Sequence, residues 1–152
     1  MGYLNLIKIL YDSYSTKFKS EKERFYCITH DKDRIKKMLT YFPKIKEDDL
    51  PIFALSNCIN PSKPLGMLIT TKFIYTKPNR IFPATKICIS DVELIYYDLE
   101  KDGIYILVEK NNKEEEYNIA TAGIKSRDSY DFMRDLSSFL DSLVKILKKN
   151  VN

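Results

Sequence analysis

From residue 3 to residue 18 the apolar side chains recur at helical intervals: Leu6, Ile7, Leu10, Tyr14 and Phe18, with Lys8, Asp12 and Ser15 between them. That spacing predicts an amphipathic helix with a single apolar stripe. The polar run "SEKER" interrupts it, and "FYCIT" leans towards a strand, because aromatic and β-branched residues suit a pleated surface. A second helix is predicted from Asp31 to Phe42. Ile35, Met38, Leu39 and Phe42 share one face, Thr29 or Asp31 can cap the first amides, and Pro43 stops it. "KIKEDDL" then reads as a charged connector.

At Leu50 the period changes from helix to strand. "PIFALSNC" alternates Ile52, Ala54 and Ser56 against Phe53, Leu55 and Asn57. "LGMLIT" and "FIYTK" are two strands with only Thr71-Lys72 between them, and "ATKICIS" is the next. "DVELIYYDL" places Val92, Leu94 and Tyr96 on one side, with Glu93, Ile95 and Tyr97 on the other. Asp102-Gly103 and Asn111-Asn112 mark hairpin turns, since these residues tolerate positive φ; they bracket "IYILVEK" and precede "EEEYNIAT". After Gly123 the helical period returns, with Phe132, Leu136, Phe139, Leu140, Leu143 and Leu147 on one stripe. Asp128 near its start and Lys145, Lys148 and Lys149 near its end complement the helix dipole. The predicted order is two N-terminal helices, seven short strands and one long C-terminal helix.

Seven consecutive short strands with hairpin signals predict an α+β fold: an antiparallel meander that bends into a sandwich or open barrel, its open edge covered by the last helix. The stretch "GMLITTKFIYTK" followed by "KICISDVELIYYD" resembles bacterial pleckstrin-homology-like (PH/GRAM-like) domains. In those domains a strand, a Thr-x-Lys/Arg turn and an aromatic strand precede an I-x-I-x-x-I strand. The resemblance covers roughly residues 50–148. It implies a seven-stranded bent sandwich or open barrel over 50–149, capped by the C-terminal helix, with residues 1–45 as a helical extension packed on or beside it. The last helix lacks the Trp of eukaryotic relatives. Because this superfold hosts lipid binding, peptide binding and scaffolding, the resemblance does not choose among them.

A chain of 152 residues, 44% apolar and 30% charged, reads as soluble and globular and large enough to bury a core without staples. Its net charge is +4, but 21 acidic residues are interspersed among 25 basic ones, so no continuous basic face for a nucleic-acid duplex is indicated. Cys27, Cys58 and Cys88 form no C-x-x-C pair and His30 is the sole histidine. The cysteines read as small buried hydrophobes in a reducing compartment, and no metal or cofactor is expected. The N-terminal apolar run is broken by Asn5 and Lys8, Leu6 stands where myristoylation wants Ser or Thr, and no run approaches a membrane span. The expected location is the cytoplasm. The Lys-, Asn-, Ile- and Tyr-rich usage fits an AT-rich genome, as in a low-GC bacterium.

No nucleophile-elbow, P-loop, dinucleotide or zincin motif occurs, and four glycines leave little for a phosphate-cradling loop. His30 reads as an exposed capping or turn residue, and both "EDD" (47–49) and "EEE" (114–116) read as solvated charge. An enzyme is not expected. Lys77, Arg80 and Lys86 lie on one inter-strand loop and its flank, where they can converge on an anionic headgroup or ligand; Lys63 and Lys72 lie near by in sequence. The stripe of Leu6, Leu10, Tyr14 and Phe18, together with Tyr97, offers surface for a partner. The expected function is a non-enzymatic interaction module that binds a protein partner or forms a homodimer. The alternatives are an anionic lipid or ligand binder working through the 76–86 loop, and a small immunity or antitoxin-type inhibitor in which "EEE" acts as an acidic mimic.

Overall fold

The alternation and the helical stripes resolve into two antiparallel sheets and three helices in a computed structural model, which describes residues 2–38, 49–56, 66–77, 84–121 and 124–151. In chain order the elements are α1 (Gly2–Tyr14), a 3₁₀ turn (Lys19–Glu21), β1 (Phe25–Cys27), α2 (Lys32–Met38), β2 (Pro51–Ser56), β3 (Gly66–Thr70) and β4 (Phe73–Lys77). They continue with β5 (Thr85–Cys88), a second 3₁₀ turn (Ile89–Asp91), β6 (Val92–Asp98), β7 (Gly103–Lys110), β8 (Lys113–Ile119), a third 3₁₀ turn (Lys125–Asp128) and α3 (Tyr130–Asn150). The sheet orders are β1-β2-β3-β4-β5 and β6-β7-β8, and they do not close into a barrel. Eight strands are therefore present among the described residues. The eighth is "FYC", which pairs antiparallel with β2, Tyr26 opposite Ala54. Of the second predicted helix, Lys32–Met38 is seen and 39–42 lies outside the described residues. Among the described residues no helix is long and apolar enough to cross a membrane.

β2 and β3 are buried on both faces, which removes the apolar–polar alternation expected of an exposed strand. Phe53, Leu55, Met67 and Ile69 enter the main core, while Ala54, Leu68 and Tyr75 pack with Ile35 of α2 on the other face. α3 buries nine residues against the main core, and the Ser129 hydroxyl accepts from the Phe132 amide at its start. At the centre of that core Phe139 meets Tyr11, Tyr14, Phe18 and Phe53, with ring centroids 5.0–5.9 Å apart.

The N-terminal stripe serves this same core. Ile7 and Phe18 are buried in it, and Leu10 and Tyr14 pack against it. Of the stripe residues offered above as partner-facing, Leu6 alone is exposed, at 45%. Periodicity shows that a stripe wants cover; here the cover is the chain's own α3 and β2. Burial, and next the negative charge of Asp31, push the Tyr11 phenol up to about 12. The folded value lies above the unfolded one of about 10, so this contribution is complete below pH 10 and lost as pH rises through 12. In thermal melts the wild type should lose Tm between pH 10 and 12 more steeply than Tyr11→Phe.

Two further contacts correct the sequence reading. Asp49, expected as solvated connector charge, is 5% exposed. Its Oδ1 accepts from the Thr71 hydroxyl (3.0 Å) and the Lys72 amide (3.3 Å), so it holds the β3–β4 turn from across 22 residues of chain. The Asp31 carboxylate accepts from the Cys27 amide at 3.3 Å and closes the turn between β1 and α2.

Candidate protein-docking face

The three-stranded sheet turns one face to the core, and no described element covers the other. Ile95, Ile104 and Ile106 point inwards and are buried. On the opposite face Leu94 pairs with Leu107 and Tyr96 with Tyr105 across β6 and β7. Leu94 is 40% exposed, and the other three are half-buried by one another. Glu93, Glu109, Glu114 and Glu116 are exposed on these three strands.

A bulge decides which residues reach this face. The register passes from Val92↔Val108 directly to Leu94↔Leu107, so Glu93 is an extra residue on β6. An extra residue shifts the pleat by one. Val92 therefore goes inwards while Leu94 and Tyr96 go outwards, where simple alternation had put all three together. Tyr97 stays on the inner side. It is half-buried, its hydroxyl donates to Asp102 Oδ1 (3.1 Å), and its ring meets Tyr130 edge-on at 5.7 Å. The outward tyrosine of the pair is Tyr96.

Hydrogen bonds pre-position the polar part of the face. The Tyr96 hydroxyl donates to Glu116 Oε1 (2.5 Å), and Lys101 Nζ donates to Glu116 Oε2 (2.9 Å) while lying 4.9 Å from the centre of the Tyr105 ring. The hydrogen bond to Glu116 pushes the Tyr96 phenol up to about 12, and the bonds from Tyr96 and Lys101 hold the Glu116 carboxyl below its usual range. At the other end of the sheet the hydrogen bond to Glu93, then its charge, and less strongly that of Glu114, raise the Glu109 carboxyl. Crowded like charges of this kind are relieved by an incoming cation. The face thus has an apolar, aromatic centre and an acidic surround, on a chain whose net charge is +4.

Both outer strands of the face are hard to extend by strand pairing. At the β6 edge α3 fills the outward backbone groups: Asp141 accepts from the Ile95 amide (3.0 Å) and Lys148 donates to the Val92 carbonyl (2.7 Å). The β8 edge carries the three consecutive glutamates, and charges on an edge strand discourage pairing. What these two edges leave open is the face itself.

The cations singled out in the sequence are placed on β4 and β5. Tyr75 pairs with Lys86, so Lys77 and Lys86 lie diagonally on the same face of neighbouring strands; Lys86 Nζ sits 4.0 Å over the Phe73 ring. Arg80 and Lys63 lie outside the described residues. His30 is a turn residue and has partners. Its Nε2 lies 2.7 Å from Asp12 Oδ1, tying α1 to the turn after β1, and its Nδ1 lies 2.6 Å from Thr29 Oγ1. Thr29 Oγ1 in turn lies 3.2 Å from the Cys27 sulfur. Cys27 is fully buried and burial pushes its thiol up, which opposes a reactive thiolate. Cys88 is half-buried and Cys58 lies outside the described residues. Among the described residues no three His, Cys, Asp or Glu side chains gather as a metal site. No protein-family model, curated protein or solved structure matches the chain.

Proposed function

We propose that this chain is a non-enzymatic interaction module of pleckstrin-homology-like architecture whose β6-β7-β8 face docks a basic protein surface. What supports the architecture is the order of elements: four strands from β2 to β5, three from β6 to β8, then α3, which packs on β6 and β7 and meets β1 and β2 through Phe132 and Phe139, with α1 and β1 added by the N-terminal segment. The observation that carries the docking role is the uncovered Leu94/Tyr96/Tyr105/Leu107 patch with its acidic surround on a net basic chain. Aromatic and aliphatic anchors supply affinity, and the surrounding carboxylates select a cationic partner and steer its approach. A second copy is a poor occupant, because a two-fold contact through this face would bring two acidic surrounds together. A toxin whose working surface is basic fits the same chemistry, so the inhibitor reading is a special form of this one.

The test is affinity capture with the tagged wild-type chain, followed by reconstitution of each captured protein in pure form. A captured partner should have a basic contact surface, and its Kd should rise on the order of 100-fold with Leu94→Ser/Tyr96→Ala/Leu107→Ser. Binding should weaken with added salt and with Glu109→Lys. Partners that bind the triple variant as tightly as the wild type would overturn the assignment to this face.

A further inference from the structure

Between α1 and β1 the chain wraps residues 19–24 around a cleft of about 280 Å³, and Lys125 closes it from the turn before α3. The two walls are tied together: Glu21 Oε1 accepts from the Ser126 amide (2.8 Å), and the Ser20 and Ser126 hydroxyl oxygens lie 3.0 Å apart. Arg24 reaches into this wall with its side chain 11% exposed. Its contacts among the described residues are both long: Nε stands 3.7 Å from Glu21 Oε2, and Nη1 donates to the Ser56 carbonyl at 3.5 Å. A guanidinium carries five N–H donors in a fixed fork, so most of this one's donor capacity is unspent. Lys19, Lys22 and Lys125 also line the cleft, and none of them makes an ion pair among the described residues. Four cations thus face Glu21 and Glu23, one of which is already committed to the Ser126 amide.

We propose that this cleft binds a compact phosphoryl dianion, either a free phosphate or pyrophosphate group or one borne on a lipid headgroup. The buried fork of Arg24 can take two oxygens of a tetrahedral anion side by side, and the lysines meet the rest as point charges. With its side chain 11% exposed, the guanidinium is the specific element, because a partly shielded donor gains more from an ionised acceptor than a fully solvated lysine does. The lysines set the overall sign and the salt dependence. The cleft belongs to different elements from the docking face, so each can be removed without the other.

The probes are inorganic pyrophosphate and phosphate, read by thermal melts at low salt, with chloride at matched ionic strength as control. A ligand that binds only the folded chain raises Tm with concentration. The expected result is a rise of several degrees with pyrophosphate that needs at least tenfold more ligand in Lys22→Ala/Lys125→Ala. These are exposed substitutions, so the unliganded melt should stay close to wild type. Arg24→Lys keeps the charge but loses the fork, and should weaken binding as well. Co-sedimentation with phosphatidylcholine vesicles containing phosphatidic acid, against vesicles of equal charge containing phosphatidylglycerol, separates the sources. Preference for the phosphatidic acid vesicles indicates a headgroup monoester, and pyrophosphate binding without sedimentation indicates a free solute. No Tm rise in millimolar pyrophosphate together with no sedimentation overturns the proposal, as does a Tm rise that the lysine variant retains in full.

Discussion

Phe139→Ala is expected to destabilise the fold by about 3–5 kcal/mol, a large share of the roughly 5–15 kcal/mol that holds a domain of this kind together. Phe139 is fully buried, and the rings around it come from separate parts of the chain: Tyr11 and Tyr14 from α1, Phe18 from the turn after it, and Phe53 from β2. The cost of a truncation depends on how far the surroundings can close the hole. Here one ring cannot move in without dragging a strand or a helix, so the cavity should persist. Lost edge-to-face contacts add to the lost burial. Urea unfolding should show the midpoint falling with the slope unchanged, since the same surface is exposed on unfolding. Phe139→Leu, which refills most of the volume, should cost clearly less. An alanine variant within about 1 kcal/mol of wild type would mean that α1 does not depend on α3 for its seat. Amide exchange in α1 gives an independent reading: it should accelerate in Phe139→Ala more than exchange in β7.

The long periodic elements were legible in the sequence because one physical rule decides each of them. α3 follows from an apolar stripe six residues strong, and the β7–β8 hairpin follows from Asn111 and Asn112, which adopt φ of 54° and 62°. The Asp102-Gly103 signal also held. Asp102 takes the positive φ of 51° and Gly103 does not; a Cβ at Gly103 would meet the end of the Asn118 side chain at 2.8 Å, and that side chain would have to shift. What the sequence hid was non-local. β1 is three residues long and exists only through its pairing with β2. Asp49 looks like its neighbours in "EDD" until the β3–β4 turn is folded onto it. The candidate docking face was visible in its components, the tyrosine pair and the glutamates. Its orientation was not, because the bulge at Glu93 parts Val92 from Leu94 and Tyr96, which alternation had put on one side, and a bulge leaves no mark in an alternation only seven residues long.

Glu21→Ala is the other substitution expected to act strongly, with a loss of about 3 kcal/mol. In the sequence Glu21 sits inside "SEKER" among exposed charges, yet it is 2% exposed, and its two oxygens serve different partners. Oε1 accepts from the Ser126 amide 105 residues away, and Oε2 faces the Arg24 guanidinium. Removing one partner of a shielded ion pair costs more than the pair contributed, because the remaining charge keeps its desolvation without its counter-charge. Arg24 borders the cleft, and access to water there holds the loss to the lower end of that class. Glu21→Gln separates the two oxygens' roles. It keeps a carbonyl oxygen for the Ser126 amide but gives up the charge, so about 1–2 kcal/mol should be lost if the hydrogen bond carries a real share. If glutamine is as damaging as alanine, the ion pair carries nearly everything; if glutamine is neutral, the bond to Ser126 does. The decisive reading combines the urea midpoint with amide exchange at Ser126. In Glu21→Ala that amide should exchange faster by a larger factor than the global stability change requires, because the contact joining the turn after α1 to the turn before α3 has been cut.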